Sequence, residues 1–179
     1  VLLRAGVLTG IVGSNRQIPE AQEHAKNLIG ESLGLFQAQR LTNKAAEAQI
    51  ELALCYWRTG VYHNASDLIK LALDQLTDSE LKAKAIIRKA IVDIDSDRLP
   101  EALQSLTDNA ALLHRISSYT LKGCYYQTPG DVFFYLWKSA EPGNHLDRAL
   151  VEYAAASYHF EQARYTRFRA YTENNLGFL

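Results

Sequence analysis

The chain has 179 residues, of which 47% are hydrophobic and 22% are charged, and its formal net charge is -1. This length and apolar content suit one domain with a continuous core and exclude a disordered chain. The balanced charge excludes a global attraction to nucleic acid or to an anionic membrane. Cys55 and Cys124 lie far apart without metal-type spacing. They indicate neither a disulfide framework nor a zinc site, and they favour a reducing, cytoplasmic setting.

The N-terminal stretch predicts two helices. Residues 1–11 form the first, which we interpret as part of an incomplete leading repeat rather than a signal segment, and the Gly13-Ser14-Asn15 cluster ends it. Pro19 suits the first turn of a second helix, whose apolar stripe runs to about Gln39. Gly30 and Gly34 weaken this helix, and we expect them to mark close packing. The chain contains no methionine, and we therefore expect it to be a piece of a longer protein.

Residues 48–76 organise the rest of the chain. Apolar residues recur there at spacings of three and four in two helices joined by a tight turn at Thr59-Gly60. Thr42 or Asn43 is the predicted cap of the first of these helices. Each helix carries a small residue, Ala53 or Ala65, which lets two antiparallel helices approach closely. Such a hairpin leaves apolar surface uncovered and needs neighbouring helices.

The pattern recurs in the second half with less regularity. Asp78 or Ser79 is the predicted cap of the next helix, and the pair Ala90 and Ala102 repeats the spacing of Ala53 and Ala65. Residues 114–143 are the least regular: Thr128 resembles a helix cap, and a break is expected at Pro129-Gly130. A turn at Pro142-Gly143-Asn144 precedes a long helix over residues 146–163, and a last helix begins near Thr166.

The central hairpin carries a family resemblance. Its small and aromatic residues closely resemble the tetratricopeptide repeat, a helix-turn-helix unit of about 34 residues, at Leu52, Ala53, Tyr56, Gly60, Tyr62, Ala65, Ile69, Ala72 and Leu73. Gln49 stands where the family usually has tryptophan, and Thr77 where it has the closing proline. The resemblance implies an all-α fold, an α-α superhelix that forms a right-handed solenoid of helical hairpins. We expect one domain over residues 1–179, with approximate repeats at 1–40, 43–77, 79–114 and 118–163 and an incomplete repeat at 166–179.

Signatures of catalysis are missing from the sequence. It contains no GxSxG, P-loop, HExxH or dinucleotide-binding glycine motif, and we predict no enzymatic activity, cofactor or metal. Glu20 with His24, and His159 with Glu161, have metal-like spacing, but solvated side chains explain them better. Cys55 is interpreted as a small buried hydrophobe rather than a nucleophile.

A cluster of arginines and aromatics near the C-terminal end has two interpretations. It comprises Arg164, Arg167 and Arg169 with Tyr165, Phe168 and Tyr171 interleaved. Such residues could pair with phosphates and stack on bases. We favour aromatics that face the core and arginines that remain in water, because the chain as a whole is not basic.

The resemblance implies a binding surface, because in this family the first helices of successive hairpins line a concave groove that holds a peptide or helix of a partner protein. Carried over by register, the predicted groove residues are Glu47, Ile50, Glu51, Leu54, Trp57, Arg58, Lys84, Ile87, Arg88, Ile91, Gln127, Asp131, Tyr135, Tyr171, Asn174, Asn175 and Phe178. Trp57 with Arg58 and Arg88 is the predicted hot spot. For Ile50, Leu54, Ile87 and Ile91, packing between hairpins is an equally good interpretation.

The predicted function is therefore a non-catalytic scaffold that binds another protein, without nucleic acid or membrane as a partner. Self-association through uncapped terminal repeats is a further expectation. The alternative is a regulatory sensor segment of a larger signalling or transcription protein, in which the groove accepts a peptide or a small effector. Stabilisation by a small molecule would favour the sensor.

Overall fold

A computed structural model describes residues 1–140 and 143–178 of the chain. Pro142, in one predicted turn, and Leu179, in the last predicted repeat, lie outside this range. Within it the secondary structure is entirely helical, as the sequence predicts. The helices are α1 Leu2–Asn15, α2 Ala21–Ala38, α3 Thr42–Arg58, α4 Tyr62–Gln75, α5 Ser79–Asp95, α6 Leu99–Asp108, α7 Ala110–Leu113, α8 Tyr119–Lys138, α9 His145–Gln162 and α10 Thr166–Phe178.

These helices fall into two compact units, the first over Val1–Val92 and the second from Asp93 onward. In the first unit α2 packs on α1 and α3, and α3 packs on α4. In the second unit α9 packs on both α8 and α10, and α6 contacts α7 and α8. From α1 to α4, and again from α8 to α10, helices that follow one another in sequence therefore pack on one another. The single predicted domain and its repeat boundaries stay predictions.

The core of the first unit is built from the small and branched residues of the central hairpin. Ala53, Ala65 and Ala72 are fully buried in one cluster with Ile50 and Ile69, and Tyr56 and Tyr62 pack against it. Because alanine has no side chain beyond Cβ, three alanines at the helix contact allow the close approach that the sequence predicts. Val92 of α5 belongs to the same cluster.

The C-terminal ends of α2 and α3 share one backbone arrangement, in which a residue with positive φ follows the helix. Gly60 has a φ of +75°, and the Val61 N–H donates to the Tyr56 carbonyl at 2.9 Å, which satisfies a carbonyl that the end of α3 leaves unpaired. Arg40 occupies the equivalent position after α2 with a φ of +55°, and the Leu41 N–H donates to the Phe36 carbonyl at 2.9 Å. The predicted helix-ending role of Gly60 is confirmed.

The predicted caps have different outcomes. Asp78 caps α5, since its Oδ1 accepts from the Leu81 N–H at 2.8 Å. Neither Thr42 nor Asn43 caps α3, which begins at Thr42 after Leu41 without a side-chain cap. The Asn43 Oδ1 instead accepts from the Thr77 N–H at 3.0 Å and ties the start of α3 to the end of α4. Thr77 can donate this bond because, unlike a proline, it has a backbone N–H.

Two predictions about glycine and proline are wrong. Gly30 and Gly34 have no neighbouring atom within 4 Å of an added Cβ, so they do not mark close packing. The expected break at Pro129-Gly130 does not occur, since α8 runs through both residues. Thr128 is not a cap either: its hydroxyl donates to the Cys124 carbonyl at 2.8 Å within the helix. Pro129 and Gly130 are buried, and Gly130 lies against the Tyr153 ring of α9. Tertiary packing therefore opposes the break that proline favours.

Candidate partner-binding site

The hydrophobic residues predicted for the groove lie mostly in the core. Ile50 is 0% exposed, Leu54 3% and Ile87 2%. Ile50 packs in the cluster of the central hairpin. These three side chains therefore present no surface to a partner, and of the two interpretations that the sequence leaves open for them, core packing is the one that agrees with their burial. Ile91 is half-buried, as are Trp57 and Glu47. Trp57 rests against the core cluster, which limits how much of its ring a partner could reach.

Charged side chains of α3 and α5 lie together on the first unit. The Lys84 Nζ donates to the Glu51 Oε1 at 2.6 Å, and the Glu51 side chain is only 10% exposed. A buried charge of this kind is stable only with a partner, so the pair fixes α5 beside α3. Glu51 is thereby occupied by Lys84 and is not available to a ligand in the manner predicted.

Arg58 and Arg88 extend this charged surface. Both are half-buried. Burial lowers the pKa of the Arg58 guanidinium; the neighbouring Cys55 and Glu51 oppose the shift, and the positive charge of Arg88 adds to it. The positive charges of Arg58 and Arg88 are thus close enough to affect one another, and Lys84 lies on the same helix as Arg88. We call Arg58, Lys84 and Arg88 the arginine surface.

A second set of predicted groove residues meets in the second unit around Asp131. The Tyr153 hydroxyl of α9 donates to the Asp131 Oδ1 at 2.8 Å. Gln127, one turn earlier on α8, donates a second hydrogen bond to this carboxylate. The Thr172 hydroxyl of α10 lies 3.3 Å from the Gln127 Oε1, which places α10 beside α8. Side chains from three helices therefore hold Asp131 in place.

The protonation of Asp131 is strongly affected by these surroundings. Burial raises its pKa to about 7, against the hydrogen bonds from Tyr153 and Gln127, and the nearby negative charge of Asp95 raises it further. Among the described residues, no cation takes part in setting this pKa. The carboxyl group therefore changes charge near neutral pH, which is typical of groups at functional sites.

Two tyrosines lie next to this carboxyl group at the surface. Tyr135 is 44% exposed and Tyr171 is 52% exposed. Burial raises the pKa of each phenol, and the charges of Asp131 and Asp95 raise both further. Tyr171 also receives a side-chain hydrogen bond from Asn175 and interacts with Tyr135. We call Asp131, Tyr135 and Tyr171 the tyrosine–carboxylate surface.

The remaining predicted residues lie at its margin. Asn174 is exposed, and Phe178 is 68% exposed with its ring centroid 5.9 Å from that of Phe134. Tyr153 and Asp95 also lie close to Asp131, and neither is among the residues that the sequence predicts for this site. Tyr153 is 0% exposed in α9. A tyrosine at a fully buried position needs a partner for its hydroxyl, and this need was the signal that could have revealed it.

The arginine and aromatic cluster lies at the start of α10 and in the two residues before it, and several of its side chains pair within the chain. Arg169 donates to Glu161 at 2.8 Å and to Glu173 at 2.6 Å. Tyr165 and Phe168 stack with ring centroids 4.7 Å apart, and Phe168 also contacts the buried Phe160. Phe168 thus packs inward, whereas Tyr165 is 39% and Tyr171 52% exposed, so the interpretation in which the aromatics face the core agrees with the structure for Phe168 alone. No group of three or more His, Cys, Asp or Glu in the described residues could hold a metal ion.

Comparisons with known proteins add no assignment. None of the helices in the part of the chain that the structure describes is long and apolar enough to cross a membrane. The chain matches no model of a known protein family, and no curated protein matches it.

Proposed function

We propose that this chain is a helical-repeat module of the tetratricopeptide type that binds a partner protein and has no catalytic activity of its own. In this proposal the helices pair into hairpins that stack as a right-handed solenoid, and first helices of successive hairpins supply the binding surface. The resemblance of residues 46–76 to the repeat is supported by three features: buried alanines at the helix contact, the left-handed backbone at Gly60, and the packing of α1 to α4 in sequence order.

The observation that carries the proposal is the arginine surface. Glu51 pairs with Lys84 at 2.6 Å, and its negative charge also acts on the Arg58 guanidinium, but Arg58 and Arg88 together give this half-buried surface two further positive charges. An acidic segment of a partner would pair with these charges and could form paired hydrogen bonds with a guanidinium group. Arginine is also enriched among the residues that dominate binding energy at interfaces.

The state of Cys55 supports a binding role over a nucleophilic one. Its side chain is 0% exposed, in a cluster with Ala25, Ile29 and Ala48. Burial raises the pKa of its thiol, although the positive charge of Arg58 opposes this effect. A thiol that is buried and protonated behaves as a small apolar side chain.

The test is a selection of random peptides on the immobilised chain, followed by affinity measurement of the selected peptides by fluorescence anisotropy. We expect acidic residues to be enriched, and we expect Arg88→Glu to weaken binding by about thirtyfold or more, the scale of a hot-spot residue. Arg16→Glu is the matched control, because Arg16 is an exposed arginine of the same unit. Circular dichroism checks that helical content is retained.

Equal affinity of Arg88→Glu and the parent chain would refute the arginine surface as the binding site. Equal weakening by Arg16→Glu would also refute it, because the effect would then reflect net charge alone.

A further inference from the structure

The tyrosine–carboxylate surface has a chemical character opposite to that of the arginine surface. A second carboxylate, Asp95, lies near this surface, and its negative charge raises the pKa of Asp131, Tyr135 and Tyr171. Both tyrosines of the surface are exposed. Negative charge beside aromatic faces attracts a cation by direct charge pairing and by its interaction with the ring electrons.

We propose that Asp131, Tyr135 and Tyr171 form a receptor for a basic side chain, the ammonium of a lysine or the guanidinium of an arginine, on a partner polypeptide. This inference rests on the proposed binding function and names the ligand chemistry of the second unit. Asp131 supplies the charge, and the two tyrosines supply ring faces and hydroxyls around it.

Helix geometry places these groups within reach of one ligand. Asp131 and Tyr135 are four residues apart on α8 and so lie on one helical face. Tyr171 comes from α10, which the bond between Thr172 and Gln127 holds beside α8 at 3.3 Å. The Tyr153 hydroxyl of α9 holds the carboxyl group by donating to the Asp131 Oδ1 at 2.8 Å. The site is therefore preorganised, which limits the ordering cost of binding.

Charge complementarity selects the occupant. The titratable groups that face Asp131 are the Asp95 carboxylate from α5 and the neutral phenols of Tyr153 from α9 and Tyr171 from α10. Arg98 and Arg169, two basic residues of the unit, pair instead with Asp93 at 2.7 Å and with Glu161 at 2.8 Å. A basic side chain of a partner would add the positive charge that the described residues around Asp131 do not supply.

The proposal has a pH signature. A cation binds the ionised carboxylate, so a ligand must shift Asp131 toward its ionised form. With a pKa of about 7 in the free chain, Asp131 is about one-tenth ionised at about pH 6 and about nine-tenths ionised at about pH 8. Affinity for the cation is then expected to rise by about tenfold over this interval.

The experiment is isothermal titration of the full chain with a peptide of alternating alanine and lysine, and with one of alternating alanine and glutamate. We expect the lysine peptide to bind, about tenfold more tightly at about pH 8 than at about pH 6. Asp131→Asn should weaken binding by about tenfold or more and remove the pH dependence. Asp147→Asn is the matched control, because Asp147 is an exposed aspartate of the same unit.

Tyrosine variants separate ring from hydroxyl contributions. Tyr135→Ala should weaken binding by about threefold, and Tyr135→Phe should restore most of it, because phenylalanine retains a ring face. Binding of the lysine peptide that is unchanged in Asp131→Asn would overturn the proposal, and so would equal losses in Asp131→Asn and Asp147→Asn. Loss of acidic-peptide binding in Arg88→Glu is a separate readout, so failure here is distinguishable from failure of the proposed function.

Discussion

Replacing Gly130 with alanine tests how α8 and α9 pack beneath the tyrosine–carboxylate surface. An added Cβ would lie 2.8 Å from both Cδ1 and Cε1 of Tyr153 and 3.3 Å from its Cγ. The ring cannot move away easily, because Tyr153 is 0% exposed and packs with Phe133 and Ala149. Its hydroxyl is also held by Asp131 at 2.8 Å. Overpacking of this kind costs about 1–3 kcal/mol.

The helix propensity of alanine opposes this cost by about 1 kcal/mol, because Gly130 lies inside a helix. We expect a net loss of about 0–2 kcal/mol in the free energy of unfolding for Gly130→Ala. The matched control is Gly34→Ala in α2, where no atom lies within 4 Å of the added Cβ. There only the propensity term acts, and we expect a gain of about 1 kcal/mol.

Amide hydrogen exchange read by mass spectrometry is the appropriate assay, because it reports the stability of α8 and α2 separately. Opposite signs for the two substitutions are the expected result. Stabilisation of α8 by Gly130→Ala, similar to that of α2 by Gly34→Ala, would refute the close contact with Tyr153.

Two further predictions concern protonation and helix ends. The pKa of Asp131 in the folded chain, about 7, lies above the ordinary value, so its contribution to stability is complete below about pH 4 and is lost as the pH rises to about 7. Asp131→Asn should remove this loss, so that the free energy of unfolding in urea changes with pH by about 2 kcal/mol less than in the parent chain. This value is smaller than full linkage would give, because Asp131 is only partly buried. An unchanged pH profile would contradict the raised pKa. Arg40→Gly should raise the free energy of unfolding by about 0.5–1 kcal/mol, because glycine adopts a φ of +55° without steric cost. Gly60→Ala, at a φ of +75°, should lower the free energy of unfolding by a similar amount. Thermal unfolding followed by circular dichroism measures both variants, and a change in the same direction for both would contradict this reasoning.

The sequence by itself determined the helices and several of their ends. Spacings of three and four in apolar residues predict α3 and α4, and the apolar stripe that runs to about Gln39 predicts the end of α2 close to its observed bound. Asp78 and Gly60 act locally, one through a hydrogen bond to the backbone three residues on and the other through its freedom at positive φ. Such features depend on residues adjacent in the chain, so they can be read without knowledge of the fold.

The tertiary structure decided what neighbours in the chain cannot specify. The sequence predicts close packing at Gly34 and a break at Gly130, yet Gly34 has open space beside it and Gly130, inside a continuous helix, has a ring against it. Periodicity placed Ile50, Leu54 and Ile87 on the correct helices but could not tell a groove from a core, because that depends on which helix lies opposite. The environment of Asp131 likewise required α9 and α10 to bring Tyr153 and Tyr171 to α8. Burial and charge pairing arise from residues distant in the chain, and so only the packed helices fix them.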